Sequence, residues 1–363
     1  MASTKIDEPG GGSRTDNVRR ALLFTPYLRS LGGGERYLFA LARYLYIELR
    51  LAVTIASPEI PPLWKFASLG FDTDFVHMLA CDLSSFPELS TEFDLSIEVT
   101  NRVPAGAMAR LRYTHVQFPY IPLPHRENKR LFGRTIVNSQ FTRRWVKKRW
   151  GVEAKVLYPP AALGTYHEEK KENLILSVGR FIPDGNSKRQ EILVAAYRSL
   201  PVEVRQTWRL VLAGAVRDDP DCLDYAERLR LESRDLNVDV LVNVSESALR
   251  VLFESAKLFW HATGYERGTG EPERAEHFGI ATVEAMSYGT VPLVYGDGGQ
   301  PEILTAGNQG FFWTSLAELR ALTIDLIRKD GDRKRMANGA VLRSRRFDFA
   351  HFMMTCNQLF SEP

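Results

Sequence analysis

Short apolar runs alternate with amphipathic stretches along most of this chain. Residues 21–25 are apolar, follow two arginines and read as a buried strand. A loop ending in Gly32-Gly33-Gly34 comes next. Over 35–49, apolar residues recur at helical spacing as Tyr37, Leu38, Leu41, Leu45 and Leu49. Residues 51–56 form the following strand, so strand, glycine loop, helix and strand make a βαβ unit. Further short runs at 95–99, 112–117 and 135–138 extend the pattern toward a mostly parallel sheet covered on both faces.

Around Tyr158-Pro159-Pro160 the composition turns polar and proline-bearing, ending in a charged stretch at 168–172. A second alternating series then begins. Strands are expected at 174–178, 208–213, 238–242, 257–260 and 291–295. Helices are expected at 190–200, 223–230, 246–255 and 280–288, and from Gln300 to Leu304. Gly289 stands just past one helix end, and Pro301 in the first turn of another. The chain from Ser315 onward reads as mostly helical. The expected organisation is a disordered leader at 1–17, an N-terminal Rossmann-like domain at 18–158 and a linker at 159–172. A C-terminal Rossmann-like domain follows at 173–340, then a helix at 341–363 that packs back on the first domain. Two such α/β units face a central cleft, with ligands expected at the carboxyl ends of the strands.

Composition narrows the function classes. The 363 residues suit about two domains, and 44% hydrophobic with 25% charged residues is ordinary for a globular chain. A net charge of +3 does not call for nucleic acid. Cys81, Cys222 and Cys356 lack metal or disulfide spacing and read as reduced thiols of a cytoplasmic protein. No metal site is expected. The polar, glycine-rich leader is not a signal peptide, and no run of about 18 apolar residues spans a membrane.

Several motifs carry chemistry. Gly33 and Gly34 let the backbone approach a phosphate at a helix start, or they make only a tight βα turn. Arg180 and Lys188 lie after the first strand of the second domain and suit a diphosphate; the bland alternative is two solvated cations. Glu276 and Glu284 flank Phe278-Gly279-Ile280, where a helix opens with amides facing a ligand. Glu284 lies among apolar neighbours and needs a partner such as a ribose diol, whereas a solvated carboxylate would need none. Val244 lies in the stretch expected to shape the base pocket. His115 either donates to a sugar hydroxyl or is a structural histidine, and His261 and His277 share that ambiguity. The basic segment 126–150 carries Trp145 and Trp150. It reads either as a helix resting on an anionic membrane or as a solvated face. The polar loop at 264–275 either closes over substrate or is an inert insertion.

Taken together, these residues resemble glycosyltransferase family 4, whose members have the GT-B fold. The likeness rests on Gly179-Arg180 with Lys188, Glu276-x7-Glu284 with its Phe-Gly and Glu-Ala-Met, and Gly298-Gly299 with Glu302. Gly32-Gly33-Gly34-Glu35 and Tyr158-Pro159-Pro160 add to it. It implies a retaining transfer from a nucleotide-diphosphate sugar to a glycan, polysaccharide-precursor or lipid-linked acceptor, with no cofactor and no metal. By that resemblance Arg180 and Lys188 neutralise the diphosphate, Glu276 meets the sugar, Glu284 meets the ribose and His115 lies near the reacting carbon. Val244, Phe278, Gly279 and Ile280 line the donor. The spacing from Arg180 to Lys188 is longer than the family's, which leaves Arg189 as an alternate to Lys188. Glu276-His277-Phe278-Gly279-Ile280, with Thr114-His115-Val116-Gln117-Phe118-Pro119, resembles the mannosyltransferases of lipid-linked oligosaccharide assembly and favours GDP-mannose. A nucleotide-sugar epimerase or hydrolase of the same fold, or an idle binding module, is the alternative.

Overall fold

The computed structural model describes residues 19–30, 32–123, 126–185, 187–266 and 270–360. The expected leader lies outside these residues. The N-terminal sheet contains β1 (Arg20–Phe24), β2 (Ala52–Ser57), β3 (Val76–Ala80), β4 (Leu95–Thr100), β5 (Leu111–Val116), β6 (Arg134–Val137) and β7 (Lys155–Val156). The C-terminal sheet contains β8 (Glu172–Val178), β9 (Arg209–Gly214), β10 (Val238–Val242), β11 (Ala256–His261), β12 (Val291–Tyr295) and β13 (Phe311–Trp313). Helices of the first domain are α1 (Gly33–Ile47), α2 (Leu63–Ser68), α3 (Phe86–Leu89) and α4 (Gln140–Trp150). Those after the linker are α5 (Gln190–Arg198), α6 (Val202–Thr207), α7 (Pro220–Glu232), α8 (Glu246–Ser255), α9 (Ile280–Ser287), α10 (Gln300–Ile303), α11 (Leu316–Arg328), α12 (Asp330–Ser344) and α13 (Phe349–Phe360).

Both sheets are parallel. Their strand orders are β3-β2-β1-β4-β5-β6-β7 and β10-β9-β8-β11-β12-β13. In each the order reverses beside the first strand, so the loops after β1 and β8 open into a crevice at the strand ends. Those are the loops that carry Gly32–Gly34 and Arg180. Central strands such as β4 are buried along their whole length, as expected where helices cover both faces. This is the GT-B architecture of two Rossmann-like domains.

Each domain has its own core. Leu23, Tyr37, Leu41, Ile55 and Ile97 build the first, and Phe352, Cys356 and Leu359 of α13 complete it. The chain therefore returns to its first domain at the end. Tyr44 donates to Asn357 Oδ1 at 2.9 Å, securing the returning helix. Ile175, Tyr197, Leu212, Trp260, Leu293 and Trp313 build the second core. All three cysteines are buried and free.

Candidate functional site

Glu276 sits in the loop between β11 and α9, and four neighbours fix it. Its backbone is pinned first. Gly299 N donates to Glu276 O at 2.7 Å, and Gly298 has φ of +68°, where a Cβ would meet Glu276 O at 2.0 Å. Only glycine lets this turn lie flat against the loop. Its carboxylate is then held through one oxygen. Lys188 Nζ lies 2.6 Å and His261 Nε2 2.9 Å from Oε2. Burial by itself pushes the carboxyl up, but Lys188 and the His261 hydrogen bond outweigh it and hold it well below the usual carboxylate range. Glu276 is thus an anion at neutral pH.

The long spacing from Arg180 to Lys188 is absorbed by a loop that folds back. A Cβ on Gly179 would lie 2.6 Å from Lys188 Cγ, so the lysine stem crosses the glycine. Gln190 pins the same turn, donating to Gly179 O at 3.3 Å and Arg180 O at 3.1 Å. Arg189 points elsewhere: it is buried, pairs with Glu191 at 3.1 Å and Glu266 at 3.5 Å, and holds φ at +56°. Lys188 rather than Arg189 therefore stands beside Glu276. Arg180 makes no ion pair among the described residues. A Cβ on Gly32 would lie 3.8 Å from its guanidinium carbon, which brings the glycine loop of the first domain to it.

Gly33 and Gly34 complete that wall. A Cβ on Gly33 would touch Ile280 Cδ1 at 3.3 Å, across the cleft. A Cβ on Gly34 would collide with Gln117 Nε2 at 2.4 Å. Gln117 and Gln190 were not singled out from sequence, because a glutamine beside a strand end or helix start has no distinctive pattern. Gly279 precedes α9 with φ of +115°, so the first amides of that helix open toward the same space. Ile280 is half-buried at its start.

Two expected site residues and the basic segment are placed differently. His115 is fully buried in β5, its ring edge-on to Tyr37 at 4.3 Å. Both ring nitrogens lack partners among the described residues, and burial pushes its pKa down to about 3. It lies two residues below Gln117, inside the core rather than on the cleft. Phe278 is buried against Tyr158 and Phe347, with centroids 5.5 and 5.4 Å away, so its side chain supports the loop from behind. The 126–150 segment is not one helix. It divides into a 3-10 turn, β6 and α4. Gly133 makes the break, approaching the Arg112 carbonyl where a Cβ would lie 2.1 Å away. Trp150 is buried, and Arg149 pairs across the cleft with Glu273 at 2.9 Å.

Glu284 lies one turn into α9 and faces a cavity of about 480 Å³, also lined by Arg36, Glu246 and Tyr288. Burial pushes its carboxyl up to about 7, with Arg36 opposing. Val244 is half-buried in the loop leading to α8. Glu302, the acid of the Gly-Gly-x-x-Glu turn, reaches the other domain. Its two oxygens accept from Gln140 N at 2.7 Å and Phe141 N at 2.8 Å, and Tyr158 adds a 3.0 Å bond. His277 stacks on Phe118 of the first domain at 4.2 Å and 6°. Among the described residues no cluster of three His, Cys, Asp or Glu is arranged to hold a metal, and no helix is long and apolar enough to cross a membrane.

Residues 165–342 match the family described as glycosyl transferases group 1. The matched stretch is the second domain, which is similar to the group 1 glycosyl transferases. The chain is 30% identical over 191 residues to the GDP-Man:Man(3)GlcNAc(2)-PP-Dol alpha-1,2-mannosyltransferase of Dictyostelium discoideum, covering 47% of this chain and 35% of that one. It is 30% identical over 200 residues to the human protein of the same name, covering 50% and 38%. The matched part thus spans well under half the length of these curated relatives. Among solved structures, Anabaena HepE in complex with UDP and glucose superposes with a TM-score of 0.72 at 18% identity, over 94% of this chain and 99% of that one. Sucrose-phosphate synthase from Thermosynechococcus elongatus gives 0.73 at 14% identity, over 94% and 98%. The chain therefore shares its two-domain fold with both.

Proposed function

We propose that this protein transfers a hexose, with retention, from a nucleotide-diphosphate sugar to a glycan, polysaccharide-precursor or lipid-linked acceptor. GDP-mannose is the favoured donor, because the relatives' names specify GDP-Man and mannosyl transfer. The observation that carries the reading is the Lys188–Glu276 ion pair in the loop before α9, with the Arg180 guanidinium set against the glycine loop. Two cations beside one anion suit a sugar–diphosphate junction, where negative charge develops on one side and positive on the other.

In this reading the bond between the anomeric carbon and the diphosphate oxygen breaks, and its electron pair leaves with the diphosphate. Arg180 and Lys188 neutralise that charge, with the α9 amides behind them. Glu276 faces the sugar and stabilises the positive charge on its ring. The acceptor oxygen bonds to the anomeric carbon on the face the diphosphate leaves, and its proton passes to a diphosphate oxygen. Glu284 takes the ribose, in the cavity it lines with Arg36. The side-chain cations supply the charge a divalent ion would otherwise bring, so activity is expected to survive EDTA. The work is placed in the cytoplasm, with the exposed side of α4 in peripheral contact with an anionic membrane.

Thermal-shift measurements with GDP-, UDP-, ADP- and TDP-sugars test the donor. GDP-mannose is expected to raise the melting temperature most, since a ligand at 100 times its Kd adds about 2.7 kcal/mol. Glu276→Ala is expected to lower turnover by about 100-fold or more. Unchanged turnover in that variant would remove Glu276 from the chemistry. Donor conversion without an acceptor would favour an epimerase or hydrolase.

A further inference from the structure

Glu276 has a second holder that the transfer proposed above does not use. His261 ends β11 with its side chain 5% exposed. Its Nε2 lies 2.9 Å from Glu276 Oε2 and 3.1 Å from Thr263 Oγ1. Its Nδ1 faces Gln300 Nε2 at 3.4 Å, and that amide donates to Thr282 Oγ1 at 3.1 Å. A carboxylate oxygen only accepts, so Nε2 carries the proton; an amide nitrogen only donates, so Nδ1 is the bare nitrogen. Both contacts select one neutral tautomer. Burial pushes the imidazole's pKa down, against the pull of Glu276, which agrees with a neutral ring.

The two donors converge on the same atom. Lys188 and His261 both bond Oε2, whereas Oε1 of Glu276 makes no hydrogen bond among the described residues. Lys188 cannot be the permanent anchor if it turns to a diphosphate. His261 is committed on its other side to Gln300, and Gln300 to Thr282 on α9, so it holds its place whatever the lysine does.

We infer that His261 is a positioning residue for Glu276: its Nε2–H, backed by Gln300 and Thr282, fixes Oε2 and leaves Oε1 to face the donor sugar. The inference rests on Glu276 acting on that sugar, as proposed above. The same chain ties the orientation of the carboxylate to the start of α9, so sugar and diphosphate are registered against one element.

Two variants separate positioning from structural support. His261→Leu removes the donor at similar bulk, and His261→Gln offers an amide N–H in its place. With GDP-mannose as donor, His261→Leu is expected to lower kcat by about 10- to 100-fold, the loss typical of a displaced reacting group, with KM for the donor little changed. His261→Gln is expected to recover most of that loss. The acid limb of the kcat/KM profile is expected to move to higher pH in His261→Leu, because Glu276 loses one of the two groups that hold its carboxyl down. Lys188, His277 and Tyr120 also face Glu276, and all three stay in both variants. Equal losses in the two variants, or a leucine variant with wild-type kcat and an unshifted limb, would overturn the inference. A second arm needs no turnover. Nitrogen-15 spectra of the histidine-labelled protein are expected to show His261 as the neutral Nε2–H tautomer at pH 7. A bare Nε2 or an imidazolium would sink the inference in an otherwise active enzyme. A chain with the expected tautomer that turns over no donor would sink the transferase reading instead.

Discussion

Glu276 and Glu284 share one loop-to-helix segment yet have opposite surroundings. Lys188 and His261 hold the first as an anion, whereas burial lifts the second to about 7. An ordinary glutamate ionises near 4.5, so folding raises the Glu284 value. Stability from that group is then fully present below its unfolded pKa and is lost as pH rises through about 7. Glu284→Gln, which cannot ionise, is expected to melt a few degrees above the parent at pH 8 and close to it at pH 5. Calorimetry without ligand checks this, and an identical difference at both pH values would show that Glu284 ionises freely. The same substitution is expected to weaken donor binding, as when a strained site group is traded for stability. At this scale the order of cations after a strand and a carboxylate before a helix singles out Arg180, Lys188 and Glu276, and the fold brings Lys188 to Glu276. For His261 the sequence leaves a hydroxyl donor and a structural histidine open, since its partners Glu276 and Gln300 become neighbours only when β11, α9 and α10 converge. The two readings of His115 divide for a related reason. Its position near a strand end suggested access, but the alternation of the strand turns it inward against Tyr37.

Among the elements, the long strands and helices follow the periodicity closely. β10, α8 and β12 have the expected ends, and α1 begins two residues before the expected start. Residues 58–94 show no clear periodicity, although α2, β3 and α3 lie there. The helices are too short to show a repeat, and β3 is an edge strand without a fully buried residue. β13 has three residues and was missed for the same lack of pattern. By charge alone the basic segment reads as a membrane helix, but Gly133 interrupts it. Within α4 the apolar side, Phe141, Val146 and Trp150, is spent on the core, and Arg149 faces the other domain. Arg143, Arg144, Lys147 and Lys148 remain exposed. The membrane contact proposed above would therefore be electrostatic, without aromatic anchoring. Lys147→Glu/Lys148→Glu is expected to weaken sedimentation with phosphatidylglycerol-containing vesicles by roughly tenfold or more, at about 1 kcal/mol per lysine. Neutral phosphatidylcholine vesicles are expected to bind neither protein. Unchanged binding to the anionic vesicles would remove α4 from the membrane.

Across the whole molecule, the two domains meet through specific bonds as well as shape. Glu302 takes the first two free amides of α4, and Ser139 Oγ takes the third, that of Thr142, at 3.0 Å. A helix cap is thus supplied from the opposite domain. Glu302→Ala is expected to cost about 1–2 kcal/mol in chemical denaturation, in the range of a lost cap. Glu302→Gln, which keeps one acceptor, is expected to lose less. Equal stability of all three proteins would mean the cap does not form in solution.

The return of α13 to the first domain has one more consequence. The backbone passes between domains twice, once through the linker before β8 and again between α12 and α13. Ala161 N bonds Phe347 O at 2.8 Å, so the two passages run side by side. A body joined by one cord can swivel in any direction, but one joined by two adjacent cords turns chiefly about the line through both, as a door turns on paired hinges. The glycine loop and the Arg180 loop would then part and meet again along a single arc. Each closure would return Gly33 to Ile280 in register.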